Sequence, residues 1–173
     1  MASPTYTAKK GNYEEFLEVF DPEVNDPTDM LFNGLTNKDP ATRAAICNDM
    51  LDRGADATVV DYGQNTLTLL LSHDELGDGD PALVQRLVDT GADVNFRESH
   101  GDTPIKLAVK SGAESDEQRR PIYEALFSKD VDLDEPSSVR NPKNKIGEWL
   151  RMCVDHQPEG LKALDEFLTV RGF

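Results

Sequence analysis

Apolar residues recur along this chain at helical spacing, in runs that begin near a proline and end near a glycine. The clearest run begins at Pro81, places apolar side chains at positions 83, 84, 87 and 88, and reaches Gly91. Proline costs no hydrogen bond at the first helical position, and glycine readily adopts the left-handed conformation that ends a helix. The spacing therefore predicts one helix with a single apolar face between these two residues.

The phrase that ends this helix is repeated elsewhere in the chain. Gly-Ala-Asp-Val-Asn begins at Gly91, a similar phrase begins at Gly54, and weaker copies begin at Asp130 and Asp21. Successive copies start 33, 37 and 39 residues apart. A period of this length is typical of repeat proteins, in which similar helical units stack on one another.

A second phrase recurs in step with the first and predicts two helices in each unit. Prolines that open apolar runs stand at Pro40, Pro81, Pro121 and Pro158, the first two preceded by an aspartate that can cap a helix. Between two of these starts, residues 101–109 contain a turn glycine, a Thr-Pro pair and an apolar stripe, which predict another helix. Each period therefore contains a turn and a pair of helices.

The segment from Thr103 to Ala108 reads Thr-Pro-Ile-Lys-Leu-Ala. It resembles Thr-Pro-Leu-His-x-Ala, the hallmark of the ankyrin-repeat family, and the helix-then-hairpin phrase of that family is matched from Leu87 to Asn95. The resemblance covers about residues 14–173 and is strongest over residues 50–133. It implies an all-α fold with short β-hairpin turns, an ankyrin-type helical repeat solenoid of about four helix pairs with atypical capping repeats.

This resemblance implies a single domain over residues 13–173, preceded by a flexible N-terminus at residues 1–12. The expected units are a half-repeat helix at 13–25 and repeats at 27–58, 59–95, 96–134 and 136–173. Terminal repeats are expected to be atypical because each presents one face to water instead of to a neighbour. Residues 72–80 and 111–118 lengthen the turns between helices, and residues 139–145 replace the usual glycine turn.

Composition and charge narrow the classes of partner. The chain has 173 residues, of which 38% are apolar, and its 12 glycines bring the total to about 45%, the level of one ordinary globular domain. A formal charge of −15 disfavours nucleic acids and anionic membranes, and it favours a net basic protein as the partner. Because the first 12 residues are polar and no run of 18 apolar residues occurs, we expect a cytoplasmic protein.

The sequence gives no positive sign of catalysis, so we expect no enzymatic activity, cofactor or metal. Its three histidines lie in different repeats, without the four-residue helical spacing of a zinc site. Residues 77–82 fit a dinucleotide fingerprint formally, but they follow a predicted helix and their aspartates would repel a pyrophosphate. The acidic residues of 74–80 fit a solvated turn better than a calcium loop, because their spacing differs from the twelve-residue calcium loop.

The resemblance also implies a binding surface for other proteins, formed by the hairpin tips and the first helix of each pair. Its large side chains, Tyr62 and Phe96, are the candidate anchors, because a projecting hairpin needs no large ring for the core. The matched positions are Asp61, Tyr62, Gln64, Phe96, Arg97, Ser99, His100, Asp102 and Lys106, with Thr68, Ser72 and Lys110 as further residues on the helices.

The sequence thus predicts a non-enzymatic, monomeric protein–protein interaction module that binds a basic protein partner through its concave face. Its small size and acidity favour a soluble inhibitor or an immunity or antitoxin-type protein. The alternative is an acidic mimic of nucleic acid, or a regulator that occupies a nucleic-acid-binding site of its partner. Carboxylates spread over the convex face would favour mimicry, whereas exposed aromatic side chains on a mixed-charge concave face would favour a specific protein ligand.

Overall fold

The chain folds into successive pairs of helices joined by short turns, and the computed structural model describes residues 2–140 and 142–173. The helices are α1 Pro4–Lys10, α2 Tyr13–Val19, α3 Pro27–Gly34, α4 Pro40–Asp52, α5 Thr66–Leu71, α6 Asp80–Asp89, α7 Pro104–Lys110, α8 Asp116–Phe127, α9 Ile146–His156 and α10 Lys162–Val170. Strands β1, Val60–Asp61, and β2, Gln64–Asn65, form an antiparallel hairpin. The prediction of a mainly helical fold is confirmed.

The helices form two rows. The even-numbered helices contact one another in order from α2 to α10, and among the odd-numbered helices α1 contacts α3 and α5 contacts α7. Each odd-numbered helix also contacts the even-numbered helix that follows it. The apolar core lies between the rows, where Leu70 of α5, Leu87 of α6 and Leu126 of α8 are fully buried. No helix within the described ranges has the length and apolar character needed to cross a bilayer.

The N-terminal segment differs from the expected flexible one, because residues 4–10 form helix α1. The Ser3 hydroxyl caps this helix by accepting a hydrogen bond from the Tyr6 amide at 3.2 Å. Asn37 Nδ2 donates to the carbonyl oxygens of Ala8 and Gly11 at 2.9 and 3.0 Å, and Ala8 is fully buried. Helix α2 is therefore the second member of a pair, and the described residues form five helix pairs instead of the expected four and a half.

Prolines mark some of the predicted helix starts but not others. The Asp39 carboxylate accepts from the Thr42 amide at 2.8 Å at the start of α4, as predicted. Helix α8 instead begins at Asp116 and contains Pro121, and α10 begins at Lys162, four residues after Pro158. The Asp116 carboxylate is buried and accepts from the Tyr123 hydroxyl and the Leu164 amide, which fixes the first turn of α8 before the proline.

The repeated phrase that begins at Gly54, Gly91 and Asp130 forms the same hydrogen-bonded turn each time. In three successive copies an aspartate carboxylate accepts a hydrogen bond from the amide two residues later, at 2.8 to 2.9 Å. Side chains then connect successive units, since Asn65 of β2 donates to the Asp93 carbonyl and Asn95 donates to the Asp130 carbonyl, both at 2.8 Å. Short side chains that hydrogen-bond local backbone are well suited to such turns. The three aspartates are Asp56, Asp93 and Asp132.

Candidate functional site

The first hairpin tip presents Tyr62 to solvent. Tyr62 and Gly63 join β1 to β2 with φ values of 48° and 71°, and positive φ at both positions is characteristic of a type I′ turn. The Tyr62 side chain is 87% exposed, and the neighbouring Asp61 carboxylate accepts from the Tyr62 amide at 2.9 Å. A left-handed backbone is unfavourable for a residue with a Cβ atom. The fold therefore holds this aromatic ring in water at a cost in stability.

We expect Tyr62→Asn to raise the free energy of unfolding by about 1 kcal/mol, because asparagine tolerates positive φ and Asn-Gly suits this turn. Urea denaturation of the two proteins measures the difference, with Tyr62→Phe as the control because it keeps the backbone preference and should change little. A Tyr62→Asn protein that is no more stable than the parent would contradict a strained tip.

The second tip, residues 96–103, is built around a buried carboxylate that the sequence did not single out. The Glu98 side chain is 4% exposed and accepts from the Asp102 amide at 2.8 Å and from Gln64 Nε2 at 3.2 Å. His100 Nδ1 also lies 2.8 Å from a Glu98 oxygen. Burial raises the pKa of the Glu98 carboxyl, but the hydrogen bonds from Asp102 and His100 bring it below its usual value overall. The charged carboxylate thus anchors the exposed imidazole of His100.

The third tip, residues 136–140 and 142–145, carries an exposed aliphatic side chain. Pro136 and Lys145 form an antiparallel bridge, and the Ser137 amide donates to the Asn144 carbonyl at 2.7 Å. Val139 lies between them and is 73% exposed. The sequence predicts only a replaced turn at residues 139–145 and does not single out Val139 as a contact residue, although this valine lies between two polar, turn-like stretches.

Hydrogen bonds join the three tips to one another. The Ser99 amide donates to the Gly63 carbonyl at 3.0 Å, which connects the first tip to the second. The Arg97 guanidinium donates to the Gly101 carbonyl at 2.7 Å and to the Pro136 carbonyl at 2.5 Å, which connects the second tip to the third. Arg97 is therefore half-buried and braces the loops, whereas the sequence predicted a contact residue.

The exposed side chains of the three tips form what we name the tip surface, defined as Asp61, Tyr62, Ser99, His100 and Val139. All five are exposed. An open groove of about 640 Å³ lies between the second and third tips. Exposed aromatic and aliphatic side chains on braced loops are suited to contact a partner without reorganisation.

The predicted contact residues divide between this surface and the interior. Asp61, Tyr62, Ser99 and His100 belong to the tip surface, whereas Gln64, Phe96, Arg97 and Asp102 are half-buried and Lys106 is buried. Of the further helix residues, Ser72 and Lys110 are exposed and Thr68 is buried. The first helices of the pairs thus expose fewer side chains for partner binding than the resemblance implies.

Lys106 does not lie on a binding surface as predicted, because its side chain is buried and its ammonium group contacts interior residues. Its Nζ donates to the Ser137 carbonyl at 2.5 Å, pairs with Asp102 at 2.9 Å and lies 4.9 Å from the centre of the Trp149 ring. Burial raises the pKa of the Asp102 carboxyl, but hydrogen bonds from Lys110 and Lys106 lower it overall. This lysine therefore braces α7 against the third tip and α9.

The negative charge is unevenly distributed. The odd-numbered helices contain five Lys or Arg and three Asp or Glu, whereas the even-numbered helices contain five and twelve. The segments outside the helices contain eight Lys or Arg and eighteen Asp or Glu. A basic partner is therefore attracted to the loops and the even-numbered row more than to the odd-numbered helices.

Comparison with known proteins finds a solved structure with a similar fold but identifies no activity. No model of a protein family matches this chain, and no curated protein sequence matches it significantly. Among solved structures, it is similar to a functionally unknown protein from Leptotrichia buccalis C-1013-b, with a TM-score of 0.77 and 19% sequence identity. The match covers 99% of this chain and 95% of that one. The two chains share an overall fold.

Proposed function

We propose that this chain is a non-enzymatic protein-binding module, an ankyrin-type stack of helix pairs that binds a basic protein through its tip surface. The observation that carries the proposal is the joining of three successive tips by hydrogen bonds, with Tyr62, His100 and Val139 exposed on them. The core requires none of these three side chains. Burying them against a partner would remove apolar surface from water, and their loops are already ordered.

The ankyrin-type assignment draws its support from repetition. The Thr-Pro-Ile-Lys-Leu-Ala segment begins at the N-cap of α7, and the recurring aspartate turns precede α5, α7 and α9. Even-numbered helices follow one another in a row, as expected of a solenoid of helix pairs. In ankyrin-like proteins such hairpin tips bind other proteins, which is the use that we propose here.

Charge complementarity supports a net basic partner. With a formal charge of −15 and eighteen of the acidic residues outside the helices, the loops attract a net basic protein over long distances. A single strongly acidic binder of this kind would act by occupying a basic site of its partner, as a soluble inhibitor or an immunity or antitoxin-type protein does. We propose a cytoplasmic location for this partnership.

We expect salt and mutation to act on different rate constants of the complex. Raising the ionic strength from low to physiological should slow association about tenfold, because it screens long-range attraction. Tyr62→Ala should weaken binding by about 2 kcal/mol, mainly through faster dissociation, because it removes an anchor. A partner purified by co-elution from the native cell extract at low salt, followed by stopped-flow kinetics, measures both effects. Tyr6→Ala is the matched control, since Tyr6 is exposed on α1 and belongs to none of the three tips.

A second candidate function, acidic mimicry of nucleic acid, is favoured by the carboxylates of the even-numbered helices, ten of which are not buried. In that case Glu14→Gln together with Glu18→Gln on α2 would weaken the complex more than Tyr62→Ala does. Our proposal predicts the reverse order. The same kinetic measurement therefore separates the two functions.

A further inference from the structure

We propose that a second surface of this chain binds a basic segment of a partner protein in a socket for one leucine-sized side chain. The socket lies between two turns, residues 72–79 between α5 and α6 and residues 111–115 between α7 and α8. Each of α5 and α7 runs from a hairpin tip to one of these turns, so the socket is at the opposite end of these helices from the tip surface. It does not depend on the function proposed above.

Buried groups hold the longer turn in place. Arg43, which is fully buried with Asp80, donates from Nη2 to the Glu75 carbonyl at 3.3 Å. A parallel bridge joins Glu75 to Gly112, whose amide donates to the Asp74 carbonyl at 3.1 Å. A Cβ atom on Gly112 would collide with that oxygen, so glycine is required where the turns meet. The cavity between them is therefore preformed, which lowers the ordering cost of binding.

The docked turns enclose a partly open cavity of about 160 Å³. Its apolar wall consists of Leu76, Pro81, Ala113 and Ile122. A cavity of about 150 Å³ with aliphatic walls can hold a benzene-sized guest, so this one suits a leucine side chain. Arg119 also lines the cavity, but its guanidinium donates to the Ser111 carbonyl at 2.6 Å and so helps to hold the shorter turn.

Carboxylates line this cavity and the wider opening beside it. Asp78 lines both, and Asp74, Glu75 and Glu114 line the opening. Four exposed acidic residues lie along the two turns, and none of the four belongs to an ion pair within residues 2–140 and 142–173. They are Asp74, Glu75, Asp78 and Glu114. An apolar cavity with an unpaired acidic rim is complementary to a leucine-sized residue that is flanked by lysines or arginines. Such a segment, carried by a basic protein, is the occupant that we propose.

A short peptide tests the socket directly. The probe is a fluorescein-labelled peptide of sequence Lys-Arg-Leu-Lys-Arg, and its control has alanine in place of leucine, with the same charge. We expect the leucine peptide to bind about tenfold more tightly, measured by fluorescence anisotropy, because the cavity buries its side chain. Amide chemical shifts should change in residues 74–81 and 111–122 and not at the hairpin tips.

Two variants with equal charge separate the socket from general attraction. The rim variant combines Asp74→Asn, Glu75→Gln and Asp78→Asn, and the matched control combines Glu14→Gln, Glu18→Gln and Glu23→Gln, which also removes three exposed carboxylates. We expect the rim variant to weaken binding of the leucine peptide at least tenfold and the control to weaken it less than twofold. Ala113→Phe, which fills the cavity from its wall, should abolish the preference for leucine, whereas Ala113→Ser should keep it.

The proposal is overturned if the two peptides bind equally well, or if the two triple variants weaken binding equally, since either result shows attraction by net charge alone. It is also overturned if the shift changes map to the tips. The peptide comparison and the shift map use the parent protein, so they decide the question even if Ala113→Phe does not fold. Binding at the tip surface is measured separately, with Tyr62→Ala, and either surface can fail without the other.

Discussion

Arg43→Met should lower the free energy of unfolding by about 3–5 kcal/mol, the largest effect that we expect from a single substitution in this chain. Arg43 and Asp80 are both fully buried, and Arg43 Nη2 and Nε lie 2.5 and 3.1 Å from the two oxygens of Asp80. The same guanidinium donates to the carbonyls of Asn37 and Glu75. Methionine fills a similar space but leaves a buried carboxylate unpaired.

Urea denaturation measures this effect, and Arg53→Met is the matched control. Arg53 pairs with Asp49 near the end of the same helix, but it is partly exposed, so its loss should cost less than about 1 kcal/mol. Adding Asp80→Leu to Arg43→Met should restore much of the stability, because it removes the unpaired charge. Equal denaturation midpoints for Arg43→Met and Arg53→Met would contradict a buried pair between α4 and α6.

Leu126→Ala should cost about 2–5 kcal/mol through lost burial and the cavity that it leaves. The repeat pattern predicts that Leu87, Leu126 and Leu164 occupy equivalent positions in successive units, and all three are fully buried in α6, α8 and α10. Val170→Ala on α10 is the control, since Val170 is 83% exposed and its truncation should change stability by about 0.5 kcal/mol or less. If Leu126→Ala unfolds at the same urea concentration as the parent, the helix register is wrong.

The features that could be predicted from the sequence depend on residues close together in the chain. The Asp39 cap acts on an amide three residues away, and Gly91 has the left-handed φ of 106° that its place after a helix predicts. Tyr62 was a candidate because it falls next to a turn glycine, in a segment with no need of a large core ring. Local rules suffice for such positions because the interacting groups are fixed by a few backbone angles.

The features that were missed depend on contacts between distant residues. By its sequence Asp80 has the pattern of a helix cap, as Asp39 does, but its carboxylate pairs instead with Arg43, 37 residues earlier. Glu98 is one of many carboxylates in the sequence, and its burial depends on Gln64 in the preceding hairpin. Pro121 lies inside α8 because tertiary contacts of the first turn fix an earlier start. Neither propensity nor spacing reports such partners.

The most direct test of the central claim is site-specific photocrosslinking in the native cell extract. A benzophenone amino acid is placed at position 62 on the tip surface, at position 139 on the same surface, and at position 6 on α1 as the exposed control. Our account predicts that positions 62 and 139 crosslink to the same protein, that this protein is net basic, and that position 6 does not capture it. Capture from position 6 alone, or an acidic protein captured from the tips, would contradict the account.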